Sequence, residues 1–264
     1  MANPGELHAW IAALPENGRY AFSRAEAESV TDASKTGVAA TLRRMRKRNV
    51  LVSPRRGFHV VIPPEYRTAG CPPATWFIDD LMRHLGRRYY VSLLSAAALH
   101  GAGHQQPMAF QVISGAPERD IEVGRVRIEF HVSRLVSDAA TVEMPTETGT
   151  MVVGTPETTA LDMVRFPAAC GYWSNIATAL SELVERLDPT RLAAGAERVG
   201  RSDAQRLGWL LDSLGATELA DSLAETLTGK RLVSTPLNTA REASAAPLDP
   251  RWRVLVNDNM ETDL

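Results

Sequence analysis

The sequence predicts an α+β fold, with a basic, mainly helical N-terminal domain followed by a larger mixed domain. Two observations support this prediction. Short helical segments lead into a β-branched hairpin pattern over residues 1–65, and paired prolines interrupt the chain at 63–74. A β-rich patch at about 108–154 then precedes Ala- and Leu-rich helical segments at about 156–228. At 264 residues, 44% of them hydrophobic, the chain is long enough for two domains, which we place at 1–65 and 74–264.

Three short helices are expected in the first 48 residues. Residues 5–14 carry apolar side chains at helical spacing and end at Pro15. Ser23 can cap a second helix over 24–30, and Ser34 can cap a third that runs to about Arg48. The second and third helices are separated by a tight turn, so this segment reads as helix, turn, helix.

The third helix has a basic outward face. Its apolar residues Val38, Leu42 and Met45 recur at i, i+4 and i+7, which packs one stripe inward. At 100° per residue, Thr36, Arg43 and Lys47 lie on the opposite side.

A hairpin is expected after this helix. Residues 50–52 and 58–62 form two β-branched runs, and the turn between them carries Arg55 and Arg56. Three helices followed by a basic hairpin indicate a winged helix-turn-helix domain.

The charge distribution supports DNA binding by this domain. The net charge is −2 overall, but residues 1–70 contain 11 Lys/Arg against 6 Asp/Glu, and residues 35–56 contain eight basic residues and no acidic one. Such a helix and hairpin can neutralise DNA phosphates, whereas the alternative is an ordinary solvated basic surface. The candidate DNA-binding residues are Lys35, Thr36, Arg43, Arg44, Arg46, Lys47, Arg55 and Arg56.

The prolines at 63–64 and 72–73 predict an extended linker between the two domains. Beyond it we expect helices at 74–85 and 91–100 and a small antiparallel sheet. The alternating run 126–132 is typical of a half-buried antiparallel strand. Thr155 can cap the first of the later helices, and the chain ends in an irregular tail in which only 252–256 has strand composition.

No catalytic, metal or cofactor motif stands out, so the sequence predicts a non-enzymatic protein without a cofactor. His100 and His104 have the spacing of a helical zinc pair, but glycines at 101 and 103 break the helix that would align them. Cys71 and Cys170 lack metal-ligand spacing and are interpreted as reduced thiols. No apolar run reaches the roughly 20 residues of a membrane span, so a cytoplasmic protein without membrane contact is expected.

The succession of local motifs along most of the chain resembles the AbiEi family of antitoxins, which belong to AbiE toxin–antitoxin and phage-defence (abortive infection) modules. The segments that carry the resemblance are 42–45 (LRRM), 57–61 (GFHVV), 90–101 (YVSLLSAAALHG), 154–164 (GTPETTALDMV) and 252–257 (WRVLVN).

The resemblance implies a bifunctional protein. Its N-terminal domain is expected to repress its own operon by binding promoter repeats. Its C-terminal domain is expected to counter a nucleotidyltransferase-like toxin encoded by an adjacent gene, by a mechanism that the sequence leaves open. Candidate partner-binding residues in the family-like segments are Ser95, His100, Glu157 and Asp162, although these segments also fit capped core helices.

Two other functions remain open from the sequence. One is an effector-sensing winged-helix transcription factor, which requires an apolar cavity with a few converging polar groups in the C-terminal domain. The other is a DNA-acting enzyme, which requires a cleft with acidic residues or a lysine of perturbed pKa.

Overall fold

The computed structural model describes residues 4–102 and 107–258, and in this part of the chain it contains ten α-helices and eleven β-strands. The helices are α1 (Pro4–Ala13), α2 (Arg24–Ser29), α3 (Lys35–Lys47), α4 (Ile78–Leu85), α5 (Leu93–Leu99), α6 (Pro156–Arg165), α7 (Tyr172–Leu183), α8 (Pro189–Ala196), α9 (Arg201–Ser213) and α10 (Thr217–Leu227). The strands are β1 (Ala21–Ser23), β2 (Leu51–Arg55), β3 (Phe58–Val61), β4 (Tyr89–Val91), β5 (Phe110–Ser114), β6 (Ile121–Val123), β7 (Val126–Val132), β8 (Thr141–Thr146), β9 (Gly149–Gly154), β10 (Thr235–Pro236) and β11 (Val254–Leu255). The α+β class is therefore confirmed. Among the described helices, none is both long enough and apolar enough to cross a membrane.

The N-terminal caps predicted for α2 and α3 are present. Ser23 and Glu26 form a capping box, in which Ser23 Oγ accepts from Glu26 N at 3.1 Å and the Glu26 carboxylate accepts from Ser23 N at 2.7 Å. Ser34 Oγ accepts from Gly37 N at 3.2 Å at the start of α3. The inward faces of α1 and α3 share one apolar core, which includes Leu7, Ile11, Leu14, Phe22, Val38, Leu42 and Met45.

The hairpin after α3 belongs to a three-stranded antiparallel sheet in the order β1-β3-β2. β1 was not predicted from the sequence, because it has only three residues and lacks a β-branched side chain. β1 places Phe22 opposite His59 and Ser23 opposite Phe58, so the chain entering α2 is fixed to the hairpin.

The second sheet has six strands in the order β6-β7-β5-β4-β9-β8 and is mixed. β7 pairs antiparallel with β6 but parallel with β5, and β4 pairs parallel with β9. The prediction of a small antiparallel sheet is therefore wrong in part, because alternation along β7 indicates one buried face and does not determine strand direction. β4 and β8 were not predicted from the sequence: of β4, only Val91 falls within the helix expected at 91–100, and β8 is a mostly exposed strand that contains Pro145.

The chain divides into two compact units that do not coincide with the predicted domains. The first unit comprises Met1–Tyr90, Met108–Val136 and Glu143–Val152, and the second comprises Val91–Pro107, Ser137–Val142 and Val153–Leu264. The proline-rich segment lies inside the first unit, where Pro63, Cys71 and Pro72 are buried. These three buried side chains make the segment a packed part of that unit, whereas the sequence predicted an extended spacer.

The second unit is built mainly from α5 to α10, as the Ala- and Leu-rich pattern predicted. Its core includes two buried tryptophans, Trp173 and Trp252. A Cβ atom on Gly208 of α9 would lie 2.1 Å from the Trp252 ring, so this position requires glycine. The predicted terminal strand segment contains β11, which pairs parallel with β10.

Candidate functional site

The outward face of α3 is a continuous exposed basic surface. The side chains of Arg43, Arg44, Arg46 and Lys47 are all exposed, while Val38, Leu42 and Met45 are buried on the other side. Lys35 and Thr36 are exposed in the first turn. The helical spacing therefore predicted the orientation of this helix correctly.

These cations lack acidic partners within the described residues. None of the ion pairs formed there includes Arg43, Arg44, Arg46 or Lys47, whereas the neighbouring Arg24 pairs with Glu28 at 2.7 Å. Arg44 donates to the neutral Thr41 hydroxyl at 3.1 Å. Four cations without a nearby carboxylate leave a strong positive potential along one helix face, which favours binding of a polyanion.

A buried histidine lies behind this surface. His59 on β3 is 5% exposed, stacks on Phe22 at 5.3 Å and shares a 2.7 Å hydrogen bond between its Nδ1 and Ser53 Oγ. Burial, together with the charges of Arg46, Arg24 and His84, lowers its pKa to about 4. The imidazole is therefore neutral at physiological pH.

Arg55, which the sequence predicts to contact DNA at the hairpin tip, is half-buried and has hydrogen-bond partners within the first unit. Its guanidinium donates to the backbone carbonyls of Arg119 and Asp120 and lies 5.6 Å from the centre of the Phe130 ring. Arg55 connects the hairpin to the rest of the first unit, because the two carbonyl groups lie next to β6 and the Phe130 ring lies on β7. Sequence spacing cannot show this, since these partners follow more than 60 residues later.

Arg56, the second predicted base at the hairpin tip, remains exposed. Its carbonyl oxygen lies 3.4 Å from His84 Nε2, and Phe58 stacks on the same imidazole at 5.3 Å. The hairpin backbone is therefore packed against α4, and the Arg56 side chain is the more exposed of the two arginines at the tip.

The predicted partner-binding residues lie mostly in the core of the second unit. Ser95, Glu157 and Asp162 are each at most 5% exposed, and His100 is half-buried with Nε2 at 2.7 Å from the Gly154 carbonyl oxygen. A folded partner cannot cover three of these four side chains without unfolding the unit. Ser95, Glu157 and Asp162 therefore do not form a partner surface. Their burial supports the alternative that these segments are capped core helices.

Asp162 organises a buried polar cluster. Its carboxylate accepts from Ser92 Oγ at 2.9 Å and from Arg165 Nη1 at 2.6 Å. Ser92 precedes α5, so this pair of contacts ties the start of α5 to the face of α6. The positive φ of 57° at Leu93, immediately after Ser92, indicates that this junction has a constrained backbone.

Glu157 connects the start of α6 to α8. One carboxylate oxygen, Oε1, accepts from the backbone N–H of Asp188 at 3.0 Å. The other, Oε2, is buried and finds no hydrogen-bond partner among the described residues. Glu157 therefore positions the α8 N-terminus, at the expense of one unsatisfied acceptor.

A buried arginine that was not predicted from the sequence holds the segment around β10. Arg206 of α9 donates to the Pro236 carbonyl at 2.9 Å, to Thr235 Oγ1 at 3.2 Å and to Asp203 at 3.1 Å. Burial lowers the pKa of Arg206 and raises that of Asp203. Every contact of this guanidinium is structural, so its role is to anchor β10 on α9.

Metal and thiol chemistry find no support in the described residues. Within 4–102 and 107–258, no three His, Cys, Asp or Glu side chains are grouped so that they could hold a metal ion. His104, one half of the spacing considered above, lies outside the described residues. Cys71 and Cys170 are buried and form no disulfide, and burial raises the pKa of each to about 12.

The second unit has an open polar cavity of about 550 Å³ at the start of α7. Its lining includes Ser174, Asn238, Arg241 and Asp258, and the Asp258 carboxylate is already held by Asn238 at 2.7 Å and by Arg241 at 2.6 Å. An effector-sensing protein needs an apolar enclosure with a few converging polar groups, which differs from this site.

Comparison with known proteins relates residues 90–213 to a known family. The family model of the AbiEi antitoxin C-terminal domain matches residues 90–213, which confirms the resemblance to this family. The crystal structure of the RV2827C protein from Mycobacterium tuberculosis has a similar fold, with a TM-score of 0.67 and 17% sequence identity over 95% of this chain and 91% of that chain. No curated protein matches the chain.

Proposed function

Because the chain carries an AbiEi antitoxin C-terminal domain at residues 90–213, we propose that it is the antitoxin of a toxin–antitoxin pair and a repressor of its own operon. Its toxin is a nucleotidyltransferase-like protein encoded by an adjacent gene, as the family resemblance implies. The antitoxin acts in the cytoplasm, by binding and without a cofactor or catalysis.

The repressor function is assigned to the first unit. The order α1, β1, α2, α3, β2, β3 is that of a winged helix-turn-helix, in which α3 is the recognition helix. With 13 residues, α3 is about 20 Å long, and a helix with its side chains is about 10–12 Å across, which fits a major groove about 12 Å wide. The single observation that supports this assignment best is the exposed face of α3, whose four cations have no carboxylate partner among the described residues.

DNA binding is tested by fluorescence anisotropy with a duplex taken from the region upstream of the operon. We expect the double variant Arg43→Ala/Lys47→Ala to weaken binding by at least about tenfold, since each side chain contributes a charge-assisted contact. The matched control is Lys230→Ala/Arg231→Ala, which removes the same charge from an exposed site in the second unit. Equal affinity of the two double variants would contradict the assignment of α3.

The antitoxin function is tested by co-expression with the neighbouring reading frame. The full chain should restore growth, and the Arg43→Ala/Lys47→Ala variant should restore it equally well, because we place neutralisation outside α3. A folded variant that loses both DNA binding and growth rescue would show that α3 takes part in neutralisation. An adjacent frame that encodes no nucleotidyltransferase-like protein would overturn the assignment of the toxin.

A further inference from the structure

An apolar cavity of about 280 Å³ lies in the first unit, between α1, the C-terminal half of α3 and the hairpin. Its inner wall includes Ile11, Met45 and Val61, which are all buried. The exposed side chains that line the cavity lie at its mouth, and they are His8, Ala12, Arg44 and Arg48. An apolar wall with a few polar groups at one side is typical of a small-molecule site.

Two arginines converge on the mouth of this cavity. Arg44 of α3 and Arg48, which follows directly after that helix, are four residues apart, so at 100° per residue they lie about 40° apart on one flank. Arg43 and Lys47 lie about 100° further round, on the outward face. Four cations therefore form two pairs, of which one faces outward and the other borders the cavity.

No other described residue neutralises the pair at the cavity. Arg44 Nη2 donates to the neutral Thr41 hydroxyl at 3.1 Å, and none of the ion pairs within 4–102 and 107–258 includes Arg44 or Arg48. Like charges four residues apart on a helix repel each other, and a bound anion offsets that repulsion. The dipole of α3 also favours cations at its C-terminus, but it explains neither the cavity nor the apolar wall beside them.

The volume and lining of the cavity define the class of ligand. At about 30 Å³ per water molecule in the liquid, the volume corresponds to about nine waters, and so to an organic molecule of about eight to ten non-hydrogen atoms. An inorganic anion would leave the apolar wall uncovered, whereas a neutral hydrocarbon would leave both guanidinium groups without an acceptor. A carboxylate with a short apolar chain suits both features, because arginine forms charge-assisted hydrogen bonds with carboxylates.

We infer that the cavity binds a small organic carboxylate, with its apolar chain against the inner wall and its charged group at Arg44 and Arg48. Because Arg44 also belongs to the basic surface of α3, a bound carboxylate lowers the positive potential of the proposed DNA-binding face. The ligand is therefore expected to weaken DNA binding, a consequence that rests on the proposed repressor function.

The probe is hexanoate, and its binding to the full chain is measured by isothermal titration calorimetry. Hexanoate should bind in a saturable manner. Hexanol, which has the chain without the charge, and inorganic phosphate, which has the charge without the chain, should each bind at least about tenfold more weakly. Equal affinity for hexanol overturns the role of the arginines, equal affinity for phosphate overturns the role of the apolar wall, and the absence of saturable hexanoate binding overturns the site.

Substitutions at the mouth locate the binding. Arg48→Gln should weaken hexanoate binding by about tenfold, because it removes a charge-assisted contact. Ala12→Leu should abolish binding, because the larger side chain occupies the mouth of the cavity. The matched control is Ala9→Leu, at an exposed position of the same helix outside the cavity lining, which should keep the wild-type affinity. Both alanines are exposed, so neither substitution alters the core, and unchanged affinity in Ala12→Leu overturns the assignment to this cavity.

Fluorescence anisotropy with the upstream duplex separates the site from the proposed repressor function. At saturating hexanoate and constant ionic strength, the wild-type chain should bind the duplex about fivefold more weakly, and Ala12→Leu should show no change. Hexanoate binding that leaves DNA affinity unchanged overturns the effector role and supports the site alone. A chain that binds hexanoate but no DNA overturns the proposed repressor function while the cavity assignment holds.

Discussion

Replacing Arg55 with alanine tests whether this side chain stabilises the fold or contacts DNA. The guanidinium donates to two backbone carbonyls, those of Arg119 and Asp120, and stacks on the Phe130 ring. A hydrogen bond from a charged group contributes about 1.5 kcal/mol or more, and an exposed cation–π contact about 0.5–1 kcal/mol. Because the side chain is partly exposed and water can replace its bonds, we expect a net loss of about 1–2 kcal/mol.

For a protein of this size, that loss lowers the melting temperature by about 3–6 °C. The assay is calorimetric unfolding of the full chain, paired with DNA affinity at fixed salt and at a temperature where both proteins are folded. Arg55→Ala should lose stability and keep its DNA affinity. The control Arg56→Ala removes an exposed charge from the next residue and should leave the melting temperature unchanged. An Arg55→Ala protein with an unchanged melting temperature and weaker DNA binding would refute this reasoning.

Four further results are expected. A fragment of residues 1–65 should remain largely unfolded by circular dichroism, because it lacks the β6–β7 partners of its hairpin. Asp162→Ala should lower the free energy of unfolding by about 2–4 kcal/mol in denaturant titration, since it removes the buried carboxylate that accepts from Ser92 Oγ and from Arg165 Nη1. Cys71 and Cys170, both with raised pKa, should react with a thiol reagent only after unfolding. The pKa of His59 lies below that of the unfolded chain, so unfolding takes up protons and stability should decrease as the pH falls from about 6.5 to 4; His59→Gln should flatten this dependence.

Local signals were sufficient to predict the helices. The caps at Ser23, Ser34 and Thr155 each depend on hydrogen bonds that span three residues, so their residue types and spacing are visible in the sequence. The apolar stripe of α3 likewise determined which side of that helix is exposed. These features require no knowledge of the rest of the fold.

Strand pairing and the burial of polar side chains could not be predicted from local sequence signals. The parallel pairing of β5 with β7 depends on how the intervening β6 returns, and alternation along β7 fits either direction. Glu157 and Asp162 stand on the polar positions of a short capped helix, which suggests exposure. Both are buried because their carboxylates find partners there. Glu157 accepts from the backbone of Asp188, and Asp162 accepts from Ser92 and Arg165. Asp188 and Ser92 are distant in sequence, so local spacing does not reveal them.

Because the two compact units do not follow the predicted domain boundary, the two proposed functions cannot be separated by cutting the chain at that boundary. The family match at 90–213 includes β5, β6, β7 and most of β9, which belong to the same compact unit as α3. A fragment that begins after the prolines at 63–73 therefore removes part of that unit's core and leaves the strands that Arg55 contacts without their hairpin. Loss of activity in such a fragment would report unfolding as readily as loss of a function. Substitutions on the exposed face of α3 should leave both units intact, because the altered side chains pack against neither core. They therefore test the proposed DNA binding while the domain that matches the family model stays folded.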